Sequence, residues 1–140
     1  MKILLAVDGS ACTKQMLAYL AAHDEFLGAG HDYTVLTVTM PVPAHAKGFF
    51  DRETVANYYR AEAEEVMKPV RSFVAQQKWN ASFVEKIGHA PTVISELADS
   101  GRFDLVVMGS HGHSSFGSMV LGSVTTRVLS QCKTPVLVIR

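Results

Sequence analysis

Asp104-Leu105-Val106-Val107-Met108-Gly109-Ser110-His111-Gly112 is the stretch on which the fold turns. Its apolar part reads as a buried strand, and the glycines after it read as the way out of that strand. After nine intervening residues comes Gly122-Ser123, and an amphipathic helical pattern then covers 124–131. A strand, a glycine loop and a helix start, in that order, can cradle an anion. Glycine admits positive φ and close backbone approach, and the first amides of a helix are unpaired and partially positive. Strand-to-helix loops also use glycine for turning alone, so the G-x-x-G-x9-G-S run by itself fits either reading. The hydroxyls of Ser110, Ser114, Ser115, Ser118 and Ser123 add to the phosphate reading.

Working outward, the chain alternates strand and helix. Residues 3–7 read as a buried strand. Ser10 is placed to cap a helix carrying Met16, Leu17, Leu20 and Ala21 at helical spacing, and Gly28 and Gly30 close it. Residues 33–39 are β-branched and strand-like. Pro41, Pro43 and Gly48 predict a loop over 40–50. A long helix is expected over 51–77, with Val55, Tyr59, Glu62, Val66, Val70, Phe73 and Gln77 on one face and Pro69 kinking or splitting it. Residues 82–87 form a third strand. Pro91 opens a helix to residue 100 with Val93, Ile94 and Leu97 inward. Residues 105–108, 125–131 and 136–139 complete the series as strand, helix and strand.

The resulting βαβαβαβαβ order predicts an α/β fold, a parallel sheet covered by helices on both faces. Ligands of such sheets bind beyond the carboxyl ends of the strands, where strand order reverses. Asp8-Gly9-Ser10 follows the first strand, so it shares a crevice with the glycine loop if strands one and four are neighbours.

The bulk numbers bound the function. One hundred and forty residues predict a single domain, 1–140. Apolar residues are 48% and charged residues 19%, the balance of a folded globular chain. Thirteen basic and thirteen acidic residues cancel, which removes the general electrostatic basis for nucleic-acid or membrane-surface partners. No apolar run reaches the length of a membrane span, and the apolar stretch before Asp8 is too short for a signal peptide. Cys12 and Cys132 are too few for a disulfide framework, so a reducing, cytoplasmic location is expected.

Beyond these patterns, the whole of residues 2–140 resembles the universal stress protein family. The resemblance rests on Ile3-Leu4-Leu5-Ala6-Val7-Asp8-Gly9-Ser10, the strand and loop around Gly109, Leu121-Gly122-Ser123-Val124, and Thr134-Pro135-Val136-Leu137-Val138-Ile139-Arg140. Gly88-His89-Ala90-Pro91 is longer than the family's usual Gly-x-Pro turn. The resemblance implies a flavodoxin-like (adenine-nucleotide alpha-hydrolase-like) five-stranded sheet of order 3-2-1-4-5. The intact motif is similar to that of the family's ATP-binding branch. It implies ATP, with Mg²⁺, as the ligand. Gly109, Gly112, Gly122, Ser123 and the Val124 amide would then hold triphosphate and ribose. Asp8 would meet the ribose or the metal. Val38 would meet adenine through its backbone, with Ala6 and Val7 lining the base and Met108 nearby. A homodimer is implied through Val136, Leu137, Val138 and Ile139, an apolar edge strand with no lysine or internal proline to discourage pairing.

Asp8 can equally be a turn residue at a strand end. No G-x-x-x-x-G-K-[ST] occurs, and no lysine lies between Gly109 and Thr126. A loop without strong cations favours binding over rapid phosphoryl transfer. His111 and His113 could contact phosphates, bind a metal or face solvent. The leading expectation is a regulatory adenine-nucleotide-binding protein of the stress response. The alternatives are a slow ATPase or self-phosphorylating enzyme, and a nucleotide-independent dimeric interaction or chaperone-like module.

Overall fold

A computed structural model describes residues 1–113 and 120–140. Its elements in chain order are β1 (Lys2–Ala6), α1 (Ala11–Ala22), α2 (Asp24–Leu27), β2 (Asp32–Thr39), α3 (Ala44–Lys47), α4 (Arg52–Gln76), β3 (Asn80–Ile87), α5 (Ala90–Ser100), β4 (Leu105–Gly109), α6 (Ser123–Gln131) and β5 (Val136–Ile139). The five strands form one parallel sheet of order β3-β2-β1-β4-β5, the expected flavodoxin-like arrangement.

Strand position explains strand composition. β1 is central, and Ile3, Leu4 and Leu5 are all fully buried because both its faces are covered. β3 is an edge, and Glu85 and Lys86 stand exposed on it. Two cores result. Ile3, Leu5, Val35 and Val107 pack on one face against Met16, Leu17 and Leu20 of α1 and Met67, Val70 and Val74 of α4. Leu4, Leu36, Val106 and Met108 pack on the other against Ile94 and Ala98 of α5 and Val128 of α6. Crossover helices change face between β1 and β4, so strand order reverses at the carboxyl ends of those two neighbours.

At the opposite end of the sheet, Trp79 is buried just before β3 and stacks on Tyr33, ring centroids 4.8 Å apart. The Tyr33 hydroxyl donates to the carbonyls of Leu27 and Gly28. Burial, with Asp24 nearby, pushes this phenol up to about 12. Below the edge of α6, Asp99 accepts from the amides of Lys133 and Thr134 and from the Thr134 hydroxyl at 2.9–3.2 Å. These donors hold its carboxyl below the usual range and staple the turn into β5. Burial pushes the Cys132 thiol beside it up, with the nearby Asp99 carboxylate adding to the shift.

Several local expectations are corrected. The 40–50 segment contains α3, and the Val42 amide donates to the Tyr59 hydroxyl of α4 at 2.8 Å. α4 runs unbroken through Pro69. The proline ring is on the exposed side, where water can satisfy the carbonyl it frees. The buried stripe of α4 is Ala63, Met67, Val70 and Val74, rotated from the predicted face, on which only Val70 is fully buried. Ser10 occupies the N-cap of α1 but its hydroxyl makes no cap bond and is buried without a hydrogen-bond partner among the described residues. Within α5, Ile94 is buried as expected, whereas Val93 and Leu97 are half-buried.

Candidate functional site

One cleft opens at the strand-order reversal. It is lined by Ala6, Val7 and Asp8 after β1, Leu36 and Val38 of β2, Met108 and Gly109 of β4, His111 and Gly112 of the loop, Ala90 and Ile94 of α5, and Thr13, Val124 and Thr125. Its cavity volume is ≈ 90 Å³, smaller than the range of about 300–1,000 Å³ usual for small-molecule sites. The floor is apolar, from Leu36, Val38, Ala90, Ile94 and Met108, and the polar groups gather at the β1 and β4 ends.

Ten residues were expected at a site from the sequence. Ala6, Val7, Asp8, Val38, Met108, Gly109, Gly112 and Val124 line this cleft. Gly122 and Ser123 do not line it, but lie alongside as the N-cap and first residue of α6. Ser114, Ser115 and Ser118 lie outside the described residues.

The glycines act through space, not through backbone twist. Among the described residues the glycines with positive φ are Gly9 and Gly88, not Gly109, Gly112 or Gly122. A Cβ on Gly109 would stand 2.7 Å from the Cys12 Cβ, so α1 passes too close to admit one. On Gly112 it would stand 2.7 Å from Asp8 Oδ2, and on Gly122 3.3 Å from the His111 Cα and the Ser110 carbonyl oxygen. At these three glycines the chain passes close to the start of α1, to Asp8 and to Ser110-His111.

Hydrogen bonds fix that arrangement. The Gly122 amide donates to the Ser110 carbonyl at 2.7 Å, and the Thr125 hydroxyl donates to the Gly109 carbonyl at 3.0 Å. The Gly122 amide is thus taken by an internal carbonyl. The next amides of α6 have no acceptor within the helix and carry its positive end. His113 Nε2 donates to the Asp8 carbonyl at 2.6 Å, tying the loop to the β1 end. His89 is separate, with Nε2 accepting from Arg127 and Nδ1 meeting the Thr92 hydroxyl, both at 3.0 Å.

Asp8 takes the turn role weighed for it and also lines the cleft. Its Oδ1 accepts from the Ser10 amide and the Thr13 hydroxyl, both at 2.9 Å, which is a turn. Oδ2 takes no hydrogen bond from any described residue and faces Gly112 in the cleft. Among the described residues no three His, Cys, Asp or Glu side chains could hold a metal together. A single carboxylate suits Mg²⁺ that arrives with phosphates, the usual way this ion is held.

Sequence reasoning missed Thr13, Leu36, Ala90, Ile94 and Thr125, all cleft residues. It also missed Lys14, which lines a neighbouring trough with Asp8, Gly9, His113, Glu62 and Glu65. Helical spacing marks Ile94 as inward, but not as the floor of a cleft.

The model of the universal stress protein family matches residues 1–140. Universal stress protein Slr1230 of Synechocystis sp. is 32% identical over 139 residues, 99% of this chain and 42% of that protein. The chain thus spans less than half of that relative. A universal stress protein of Thermus aquaticus is 30% identical over 139 residues, 99% of this chain and 97% of that one. Among solved structures, the MJ0577 protein superposes with a TM-score of 0.83 at 25% identity, covering 99% and 94% of the two chains. Two more distant structures share the fold. They are the Archaeoglobus fulgidus universal stress protein in complex with dAMP (TM-score 0.69, 22% identity, 100% and 98% covered) and an Arabidopsis thaliana family member with AMP bound (0.71, 15%, 99% and 90%). Sheet order, cleft position and the match over all 140 residues agree: the chain belongs to the universal stress protein family.

Proposed function

We propose that this chain is a regulatory adenine-nucleotide-binding protein of the ATP-binding branch, acting in the stress response as one cytoplasmic domain. The carrying observation is the convergence of eight of the ten expected residues on a single cleft at the strand-order reversal. The apolar floor of Leu36, Val38, Ala90, Ile94 and Met108 suits a base, and Asp8 Oδ2 suits ribose hydroxyls or Mg²⁺. The start of α6, with Ser123 and Val124, suits phosphates. Nucleotides bound by family members, dAMP in the Archaeoglobus fulgidus protein and AMP in the Arabidopsis thaliana one, support the same ligand class here. ATP with Mg²⁺ is the preferred form because the glycine motif continues beyond the cleft to α6.

Fast turnover is not expected. The loop has no lysine, and the nearest arginine on α6, Arg127, is engaged with His89. Any hydrolysis falls below the enzyme-typical range of about 1–10³ s⁻¹. Calorimetric titration with Mg-ATP, AMP and GTP tests the reading. Saturable binding of the adenine nucleotides with weaker GTP supports it, and equal or absent binding overturns it.

The same proposal includes a homodimer through β5. The Val106 amide donates to the Pro135 carbonyl and the Ser110 amide to the Ile139 carbonyl, so alternation turns the Val136 and Val138 amides to the free edge. Leu137 packs into the core on the α1 side, so a lysine there would damage the monomer and is no probe of the edge. Val138→Pro removes an outward donor instead. Sedimentation should show wild-type dimer and Val138→Pro monomer. A wild-type monomer of 15.2 kDa defeats the proposal.

A further inference from the structure

We propose that Thr13 is a positioning residue that fixes the Asp8 carboxylate with one oxygen turned to the ligand. The inference rests on the adenine-nucleotide reading of the cleft and adds the residue that sets its ribose end.

A carboxylate on a loop after a strand can ordinarily swing about its side-chain torsions. Here one hydroxyl ties the carboxylate to the backbone of its own residue. Thr13 Oγ1 accepts from the Asp8 amide at 3.1 Å and donates to Asp8 Oδ1 at 2.9 Å. The Ser10 amide donates to the same Oδ1 at 2.9 Å. All these donors converge on one oxygen, and Oδ2 is left facing the cleft beside Gly112. Thr13 is 4% exposed, on the first turn of α1, and its branched Cβ restricts its rotamer. The clamp is therefore rigid from the helix side, while Thr13 itself also lines the cleft. An acceptor held in place before binding spends no affinity on its own ordering. Vicinal hydroxyls of a ribose are the donors that a fixed carboxylate oxygen selects.

Thr13→Val keeps the shape and removes the hydroxyl, Thr13→Ala removes it without demanding that valine fit, and Thr13→Ser restores it. Each is titrated with Mg-ATP and with 2′,3′-dideoxy-ATP, which lacks both hydroxyls, and the unliganded Thr13→Val protein is crystallised. Loss of one charge-assisted hydrogen bond should weaken ATP by about tenfold. The dideoxy affinity should stay near wild type, so the preference for ribose collapses, and serine should recover it. The crystal structure should show the carboxylate rotated away from Gly112. An unchanged ATP-to-dideoxy ratio, or equal loss for both ligands, overturns the inference, because a merely structural threonine acts on both alike. An unmoved carboxylate overturns it as well. If the wild type binds neither nucleotide, the reading of the cleft fails, and the crystal structure still decides whether Thr13 holds Asp8.

Discussion

Two helices begin at the same cleft and begin differently. At α1 a carboxylate stands before the first turn: Asp8 takes the Ser10 amide and the Thr13 hydroxyl, and Gly9 at φ 76 makes the bend between them. At α6 the N-cap is Gly122, with no side chain to offer and its amide spent on the Ser110 carbonyl. Both helices carry a partial positive charge at this end. The first has a built-in anion beside it, and the second has none. On the proposed reading of the cleft, an incoming anion would meet α6, while α1 would present an acceptor to the ligand's donors. Polarity across the cleft follows from which helix the chain supplies with its own carboxylate.

The sharpest way to break the open end is Gly122→Val. Its Cβ would crowd the His111 Cα and the Ser110 carbonyl at 3.3 Å, so the variant acts by displacing the loop. Overpacking of this kind costs ~1–3 kcal/mol, and nucleotide affinity should fall by about a hundredfold in calorimetry while circular dichroism stays unchanged. Retained affinity would show that the loop takes no part in binding.

Breaking the closed end comes next. Asp8→Ala leaves the Ser10 amide and the Thr13 hydroxyl without their acceptor. Urea unfolding should show a loss of about 1–3 kcal/mol with unchanged m-value. Full stability would mean that α1 needs no neighbouring carboxylate.

The smallest effect sharpens the contrast at the other end of α6, which Asp99 closes. Its folded carboxyl lies below the ordinary carboxylate range, so the stabilisation is complete above that range and is lost as pH falls through the lowered folded value. The acid limb of a stability profile should flatten in Asp99→Asn relative to wild type. Superimposable acid limbs would remove Asp99 from the account.

The alternation of strands and helices was legible because apolar strands and glycine punctuation repeat at the period of βαβ units, whereas the order 3-2-1-4-5, which puts the cleft beside β1 and β4, came from the family resemblance. What each glycine does was not legible. Gly109 is fitted to Cys12 and Gly112 to Asp8, each about a hundred residues away in the chain, and periodicity carries no information on such meetings. The rotated stripe of α4 has a similar cause. Tyr59 and Glu62 keep helical spacing with the core residues, but Tyr59 is spent on holding Val42 and Glu62 borders the trough beside Asp8. Ser10 was expected to cap α1, but its hydroxyl makes no cap bond, and Asp8 accepts from the Ser10 amide just ahead of the helix.

The single tryptophan of the chain lies at the amino-terminal end of the sheet, stacked on Tyr33 and remote from the cleft. Its fluorescence is therefore a reporter of the scaffold alone. Emission will redden when the sheet comes apart and will stay silent as a ligand enters, so unfolding can be followed optically in the presence of any nucleotide without the two signals mixing.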